Sequence, residues 1–249
     1  MDKMQLRTQA EQIRHQWGID LTSPVDIFAC VKRIDNVTLI SYPFGENVSG
    51  ICAKSQKSSV IAVNSMQTLG RQRFTLAHEI YHYYFDNTGR ATVCPVQVES
   101  GNEEEQNADM FASYLLVPPL TLSERIAFLQ SKSSKCLNVR DVIALEQYFQ
   151  VSRKAMLFRL REEQLITQEE SKAMEQNVRI TASTLGYDVT LYESSPVDRQ
   201  KITWGYYIEK AEELLKEHTI SIGKYEEYLI DAFREDIVFG IVSEGEYVD

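Results

Sequence analysis

The sequence predicts an α+β protein: a small antiparallel or mixed sheet packed on a helical core, with a further helical C-terminal region. Three observations carry this. Three short β-rich runs occupy residues 37–42, 50–53 and 59–63, with turn formers between them. Two long helical patterns without internal Pro or Gly follow, at 71–85 and 103–116. Beyond residue 137 no further group of β-rich runs appears, and helical patterns dominate.

In chain order, residues 1–33 read as helix, with Ser23-Pro24 a second helix start: a serine cap and a proline in the first turn. The three strands come next, separated by Pro43, Gly45 and Asn47 and by the polar run 54–58. Gly70 precedes the helix 71–85. Cys94-Pro95 and Gly101-Asn102 mark a loop, and Pro118-Pro119 stops the helix 103–116. Residues 138–165 read as two helices around Gln150-Val151-Ser152, with Ser152 as a cap. Residues 166–249 open with polar helix. A strand is expected at 188–192, a loop at Ser194-Ser195-Pro196, and helices at 204–217 and 222–235. The expected division is a domain over 1–165 and an acidic, mostly helical region over 166–249.

Bulk properties narrow the function. With 249 residues, 43 % hydrophobic and 25 % charged, the chain can bury a core without disulfides. No run approaches the ~18 apolar residues of a membrane helix, and the polar start MDKMQLRTQAEQ is not a secretory signal. A cytoplasmic location is expected. Residues 1–165 carry 18 acidic and 18 basic side chains; residues 166–249 carry 18 and 8, so the net charge of −10 lies wholly in the last third. Nucleic-acid binders usually show a basic excess, because counterion release drives that affinity; direct nucleic-acid binding is not expected. The four cysteines, Cys30, Cys52, Cys94 and Cys136, form no C-x-x-C, and buried free thiols are expected. A nucleophilic pair of Cys94 with a histidine has no local support.

The chemistry lies in His78-Glu79-Ile80-Tyr81-His82. The chain has only four histidines, and two fall in this H-E-x-x-H pattern on an uninterrupted helix. Residues four apart share a helix face one turn along the axis. Two imidazoles so placed can converge on one Zn²⁺. Glu79 suits general-base work on a water activated by the ion. His15 and His218 read as bystanders.

A third ligand is required. The metzincin extension would need Gly at 85 and His at 88, where the chain has Phe85 and Thr88. A carboxylate from the helix 103–116 is the remaining common solution. Glu105, Ala108, Asp109 and Ala112 share one face, whose alanines would let the two helices approach closely. Glu104 lies on a neighbouring face with Ala108, Phe111 and Leu115, so periodicity alone leaves both carboxylates open. Asp109 could accept a hydrogen bond from a ligand histidine's other nitrogen.

The run Arg73-Phe-Thr-Leu-Ala-His-Glu-Ile-Tyr-His82, with Glu105-Gln-Asn-Ala-Asp-Met-Phe-Ala112 and Leu115-Leu-Val-Pro118, resembles the ImmA/IrrE family of metallopeptidases. The resemblance spans roughly residues 20–165; Gly50 and Asn64 sit where that family's sheet has Gly and Asn. It implies a zincin-like core, a zinc ion held by His78, His82 and Glu105, and Glu79 as catalytic base. It also implies a substrate class, helix–turn–helix transcriptional repressors encoded nearby in mobile elements or stress regulons. Tyr81 stands where the family usually has glycine, and its ring would press on a neighbouring element. The segment 204–229 more weakly resembles a C-terminal helical pair of longer members. A peptidase with a sheet beside its zinc helix can bind extended peptide by strand addition, and 59–63 is the candidate edge strand. Two other classes are weighed: a DNA-binding regulator using 138–165 as a helix–turn–helix, and a non-catalytic zinc protein that binds a repressor or toxin.

Overall fold

The computed structural model describes residues 2–86, 92–95, 102–132 and 136–240. The expected α+β architecture is present. Helices α1 (Lys3–Gln16) and α2 (Ile27–Val31) lead into strands β1 (Val37–Tyr42), β2 (Val48–Lys54) and β3 (Ser59–Asn64). Helix α3 (Leu69–Phe85), strand β4 (Thr92–Pro95) and helix α4 (Glu103–Leu116) follow. Then come α5 (Pro119–Lys132), α6 (Val139–Phe149), α7 (Arg153–Glu162), α8 (Gln168–Met174) and α9 (Val178–Thr184). Strand β5 (Ile202–Gly205), α10 (Tyr206–Lys216), α11 (Ile222–Asp231) and α12 (Glu235–Val238) complete the described chain.

The sheet is mixed, in the order β4-β2-β3-β1-β5. β2 and β3 form an antiparallel hairpin whose turn closes through Ser55 N–H donating to the Ser58 carbonyl at 2.9 Å. β1 runs parallel to β3, with Leu39 opposite Ile61, and β5 pairs antiparallel with β1. This corrects two expectations. The strand 59–63 is not an edge: β3 has ladders on both sides, so its backbone groups are already satisfied. The edges are β4 and β5, and both were missed because each is only four residues long.

Helix α3 crosses the interior. Every residue from 74 to 82 is buried, so the helix is covered on all faces, by α4 and by β2 and β3. Ala108 and Ala112 are fully buried, as close helix approach requires. Lys54, at the end of β2, donates to the carbonyls of His82 (2.7 Å) and Asp86, capping the last turn of α3 with a cation. Arg73 Nε donates to the Gln150 carbonyl at 2.9 Å, tying α3 to the α6–α7 turn. Arg14, on α1, donates to the Leu115 carbonyl of α4 at 2.7 Å.

Other elements depart from the sequence reading. The second helix starts at Ile27 with Asp26 as its cap, accepting from Ala29 N–H, and not at Ser23-Pro24. Arg14 and Asp20 explain this: the Arg14 guanidinium takes the Asp20 and Ser23 carbonyls, and the Asp20 carboxylate takes the Thr22 and Ser23 N–H groups. That turn leaves no helical start there. Residues 190–192 form a 3₁₀ turn and not a strand; Asp188 Oδ1 accepts from Thr190 N–H and closes a tight turn. Cys94-Pro95 lies in β4 and not in a loop. Gly101 lies outside the described residues. The helix expected from 204 begins at Tyr206, because Ile202–Gly205 is drawn into the sheet. The α6–α7 pair is as expected: Ser152 Oγ accepts from Ala155 N–H.

Residues 166–240 are not isolated from the rest. β5 pairs with β1 and forms one edge of the sheet, and Ser195 exchanges hydrogen bonds with Gln72 near the start of α3. Tyr192 O–H donates to Glu146 Oε1 at 2.8 Å, where Arg153 also donates.

Candidate metal centre

His78 and His82 project from one face of α3, and their Nε2 atoms lie 3.2 Å apart. Glu105, in the first turn of α4, faces them. Its Oε2 is 3.3 Å from His78 Nε2 and its Oε1 is 3.5 Å from His82 Nε2. Ligand atoms ~2.0–2.2 Å from a tetrahedral zinc lie about 3.3–3.6 Å from one another. The two separations to Glu105 fall in that range and the 3.2 Å between the imidazoles lies just below it. Periodicity left Glu104 and Glu105 open; Glu104 is exposed, and Glu105 joins the cluster. Asn102 caps α4 by accepting from Glu105 N–H at 3.1 Å, which fixes the turn carrying the carboxylate.

Each imidazole has a carboxylate behind it, and that of His78 is hydrogen-bonded to its ring. His78 Nδ1 is 2.8 Å from Asp109 Oδ1, the contact expected for Asp109. His82 Nδ1 is 3.4 Å from Asp86 Oδ2, one turn along. Asp86 was missed; its signal was the i, i+4 spacing from His82. A carboxylate behind a ligand histidine fixes its ring and presents Nε2 as the free donor.

The electrostatics suit a cation. Burial opposes charge on His78, but its hydrogen bonds to Asp109 and Glu105 outweigh this and lift its pKa to about 10. Burial, aided by the His78 charge, pushes His82 down to about 4. Burial works to raise Glu105, but His78 beside it holds its carboxyl below the usual range. Glu79 is completely buried, and its oxygens have no hydrogen-bond donor but the Cys94 thiol among the described residues. Burial pushes it up to about 7, with the His78 charge and the Cys94 thiol working the other way. Such a carboxylate is poised to exchange a proton near neutrality.

The sheet makes room for Glu79. A Cβ on Gly50 would lie 2.4 Å from Glu79 Oε1 and 2.7 Å from Thr75 Cγ2, so only glycine fits there. Asn64 holds the preceding turn, donating to the Val48 carbonyl at 2.7 Å and to the Gly45 carbonyl at 3.2 Å. Gly50 pairs with Cys94 across β2 and β4.

That pairing brings in a residue the sequence did not assign. Cys94 Sγ, His78, His82 and Glu105 offer four ligand atoms that all lie within 4.8 Å of one another. Nothing in the linear pattern near Cys94 signals this, because the antiparallel ladder returns it to the site. All four cysteines are free; Cys52 and Cys94 are buried, as expected, whereas Cys136 is exposed. Tyr81, in place of the usual glycine, is buried with its ring centroid 5.7 Å from those of Phe85, Phe111 and His82. It pads the α3–α4 seam rather than displacing the ligands.

No curated protein matches this chain. The Peptidase_M78 family, the IrrE N-terminal-like domain, matches residues 36–161. That stretch runs from β1 through most of α7 and takes in the whole cluster. A helix pair presenting two histidines and a carboxylate beside a buried glutamate, inside a match of this extent, places the chain in the Peptidase_M78 family.

Proposed function

We propose that the protein is a zinc-dependent endopeptidase of the His₂Glu type that cleaves a helix–turn–helix transcriptional repressor encoded near it. The carrying observation is the set of 3.2, 3.3 and 3.5 Å separations among His78, His82 and Glu105, with Glu79 buried alongside. In this reading His78, His82 and Glu105 hold the ion, and Asp109 orients His78. The family and the four-donor cluster support a metal-dependent hydrolase; two imidazoles and one carboxylate at tetrahedral spacing favour zinc.

The bound ion would supply Lewis acidity for a peptide carbonyl and lower the pKa of water. The chain's own residues do the rest. Glu79 takes the proton of the attacking water and returns it to the leaving amine. Its high pKa suits both halves of that transfer. β4 is a sheet edge beside the cluster and offers the backbone ladder that an extended peptide needs. The catalytic unit spans 1–165 and the acidic region 166–249, whose β5 and Ser195 brace the catalytic unit. A cytoplasmic location goes with this substrate; no helix among the described residues is long and apolar enough to cross a membrane.

The DNA-binding reading has little support. In α7, Arg153 and residues 155–160 are buried and only Lys154 is exposed, leaving no helix face to enter a groove. The test is to incubate the metal-loaded protein, and its Glu79→Gln variant, with the neighbouring repressor. Cleavage by the first and not the second, with metal bound in both, supports the proposal. Loss of repressor DNA binding with either protein, without fragments, would favour a non-catalytic binder instead.

A further inference from the structure

We infer that Cys94 Sγ is a fourth metal ligand, closing the position a hydrolase leaves open, so that the folded protein is latent until the sulfur is displaced. The inference concerns regulation of the site proposed above and rests on that reading.

The geometry carries it. Sγ is one of four donor atoms lying within 4.8 Å of one another. It is 2 % exposed, and it lies against both Glu79 and Glu105. Its place is set by backbone: β4 pairs antiparallel with β2, and the residue opposite Cys94 is Gly50, the position over which Glu79 packs. The thiol therefore sits on the side of the cluster where the proposed base lies. A second observation points to an absent cation. Both Glu79 oxygens are buried with no hydrogen-bond donor but the Cys94 thiol among the described residues. Two carboxylates, a thiol and two imidazoles share this dry site, a donor set that a divalent cation would balance.

The donor set is informative. Two imidazoles, a carboxylate and a thiolate form a complete tetrahedral zinc shell. Closed four-donor shells are the mark of structural sites, whereas catalytic sites keep three protein ligands and one open position. Here four donors that could close such a shell stand beside a buried glutamate placed for base work. A purely structural site has no use for that glutamate. Latency accounts for both features. On coordination the Sγ–H bond breaks, its proton passes to solvent, and the sulfur donates an electron pair to the ion. Displacement reverses this: water or the substrate carbonyl takes the position and the sulfur regains a proton. No oxidant or reductant is required.

The test uses the full chain loaded with one zinc. X-ray absorption at the zinc edge reads the ligands of wild type directly, with no dependence on a variant folding. A sulfur neighbour at about 2.3 Å is expected, lost in Cys94→Ala and replaced by a nitrogen or oxygen neighbour. Cobalt substitution adds a second reading, a sulfur-to-cobalt charge-transfer band present in wild type and absent from Cys94→Ala. Cleavage of the neighbouring repressor, and of a quenched-fluorescence library of unstructured peptides, should be several-fold faster for Cys94→Ala. A wild-type spectrum with nitrogen and oxygen neighbours alone overturns the inference and leaves the peptidase reading intact. A sulfur neighbour with equal cleavage by both proteins overturns the latency. A sulfur neighbour with no cleavage by Cys94→Ala also overturns it, and in that case the peptidase reading beneath it fails too.

Discussion

Glu79 is the residue on which the chemistry turns, and its surroundings specify what changes should do. It is buried with no hydrogen-bond donor but the Cys94 thiol among the described residues, so it holds little structure in place. Glu79→Gln should keep the metal and lose roughly 10²–10⁴-fold in cleavage rate, the usual worth of a positioned general base. Metal analysis alongside a cleavage assay checks both halves. Asp109 differs, because it touches His78 and not the ion's position. Asp109→Asn should weaken metal affinity by about 10–100-fold, read by competition with a chelator. Proton linkage gives a third expectation. In the metal-free protein His78 titrates at about 10, above its usual value, so it is charged at neutral pH. Its contribution to stability is therefore complete below about pH 6.5 and lost as pH rises through about 10. Metal uptake must displace that proton, so affinity should rise with pH across the neutral range. Calorimetry in buffers of different ionisation heat measures the proton released; no proton release near pH 7 would contradict the charged state of His78.

At the scale of elements, the site is a junction of two helices and one strand. α3 brings the histidines and Glu79, α4 brings Glu105, and β2 supplies the gap at Gly50. Gly50→Ala should force the Glu79 carboxylate aside, since the new methyl would sit 2.4 Å from Oε1. Cleavage should fall steeply while metal binding persists, because the atoms nearest the new methyl belong to Glu79, Thr75 and Ala62 and not to His78, His82 or Glu105. Tyr81→Gly restores the family's usual residue, yet here it should destabilise. It empties a pocket between Phe85 and Phe111 and puts glycine inside a helix. Those effects amount to roughly 3–5 kcal/mol and about 1 kcal/mol, and a thermal melt would show them. The helices that build the site were legible because periodicity and spacing are local signals. Glu105 could be chosen over Glu104 only by resemblance, since both faces of α4 carry alanine and apolar residues. β4 and β5 were not legible: four-residue strands take their identity from partners far away in sequence. Cys94 was invisible for the same reason.

For the whole molecule, the sheet and helical core place a polar cluster in the interior, and the acidic C-terminal third supplies the edge strand β5. The α+β class followed from the grouping of strands before helices; the parallel β1–β3 pairing did not, because alternation does not encode strand direction. An ion bound only by the folded state adds stability by mass action, about 4 kcal/mol at a thousandfold excess over its dissociation constant. Zinc should therefore raise the melting temperature of wild type and of Glu79→Gln, and raise that of Glu105→Ala much less. Differential scanning calorimetry with and without zinc makes the comparison.

The most direct measurement is zinc stoichiometry and affinity in wild type, Glu105→Ala and Glu79→Gln, each checked for folding. The account predicts one tightly held ion in wild type and in Glu79→Gln, and weakened binding in Glu105→Ala. A folded wild-type protein that takes up no zinc, or a Glu105→Ala protein that binds it as tightly as wild type, would contradict the metal centre.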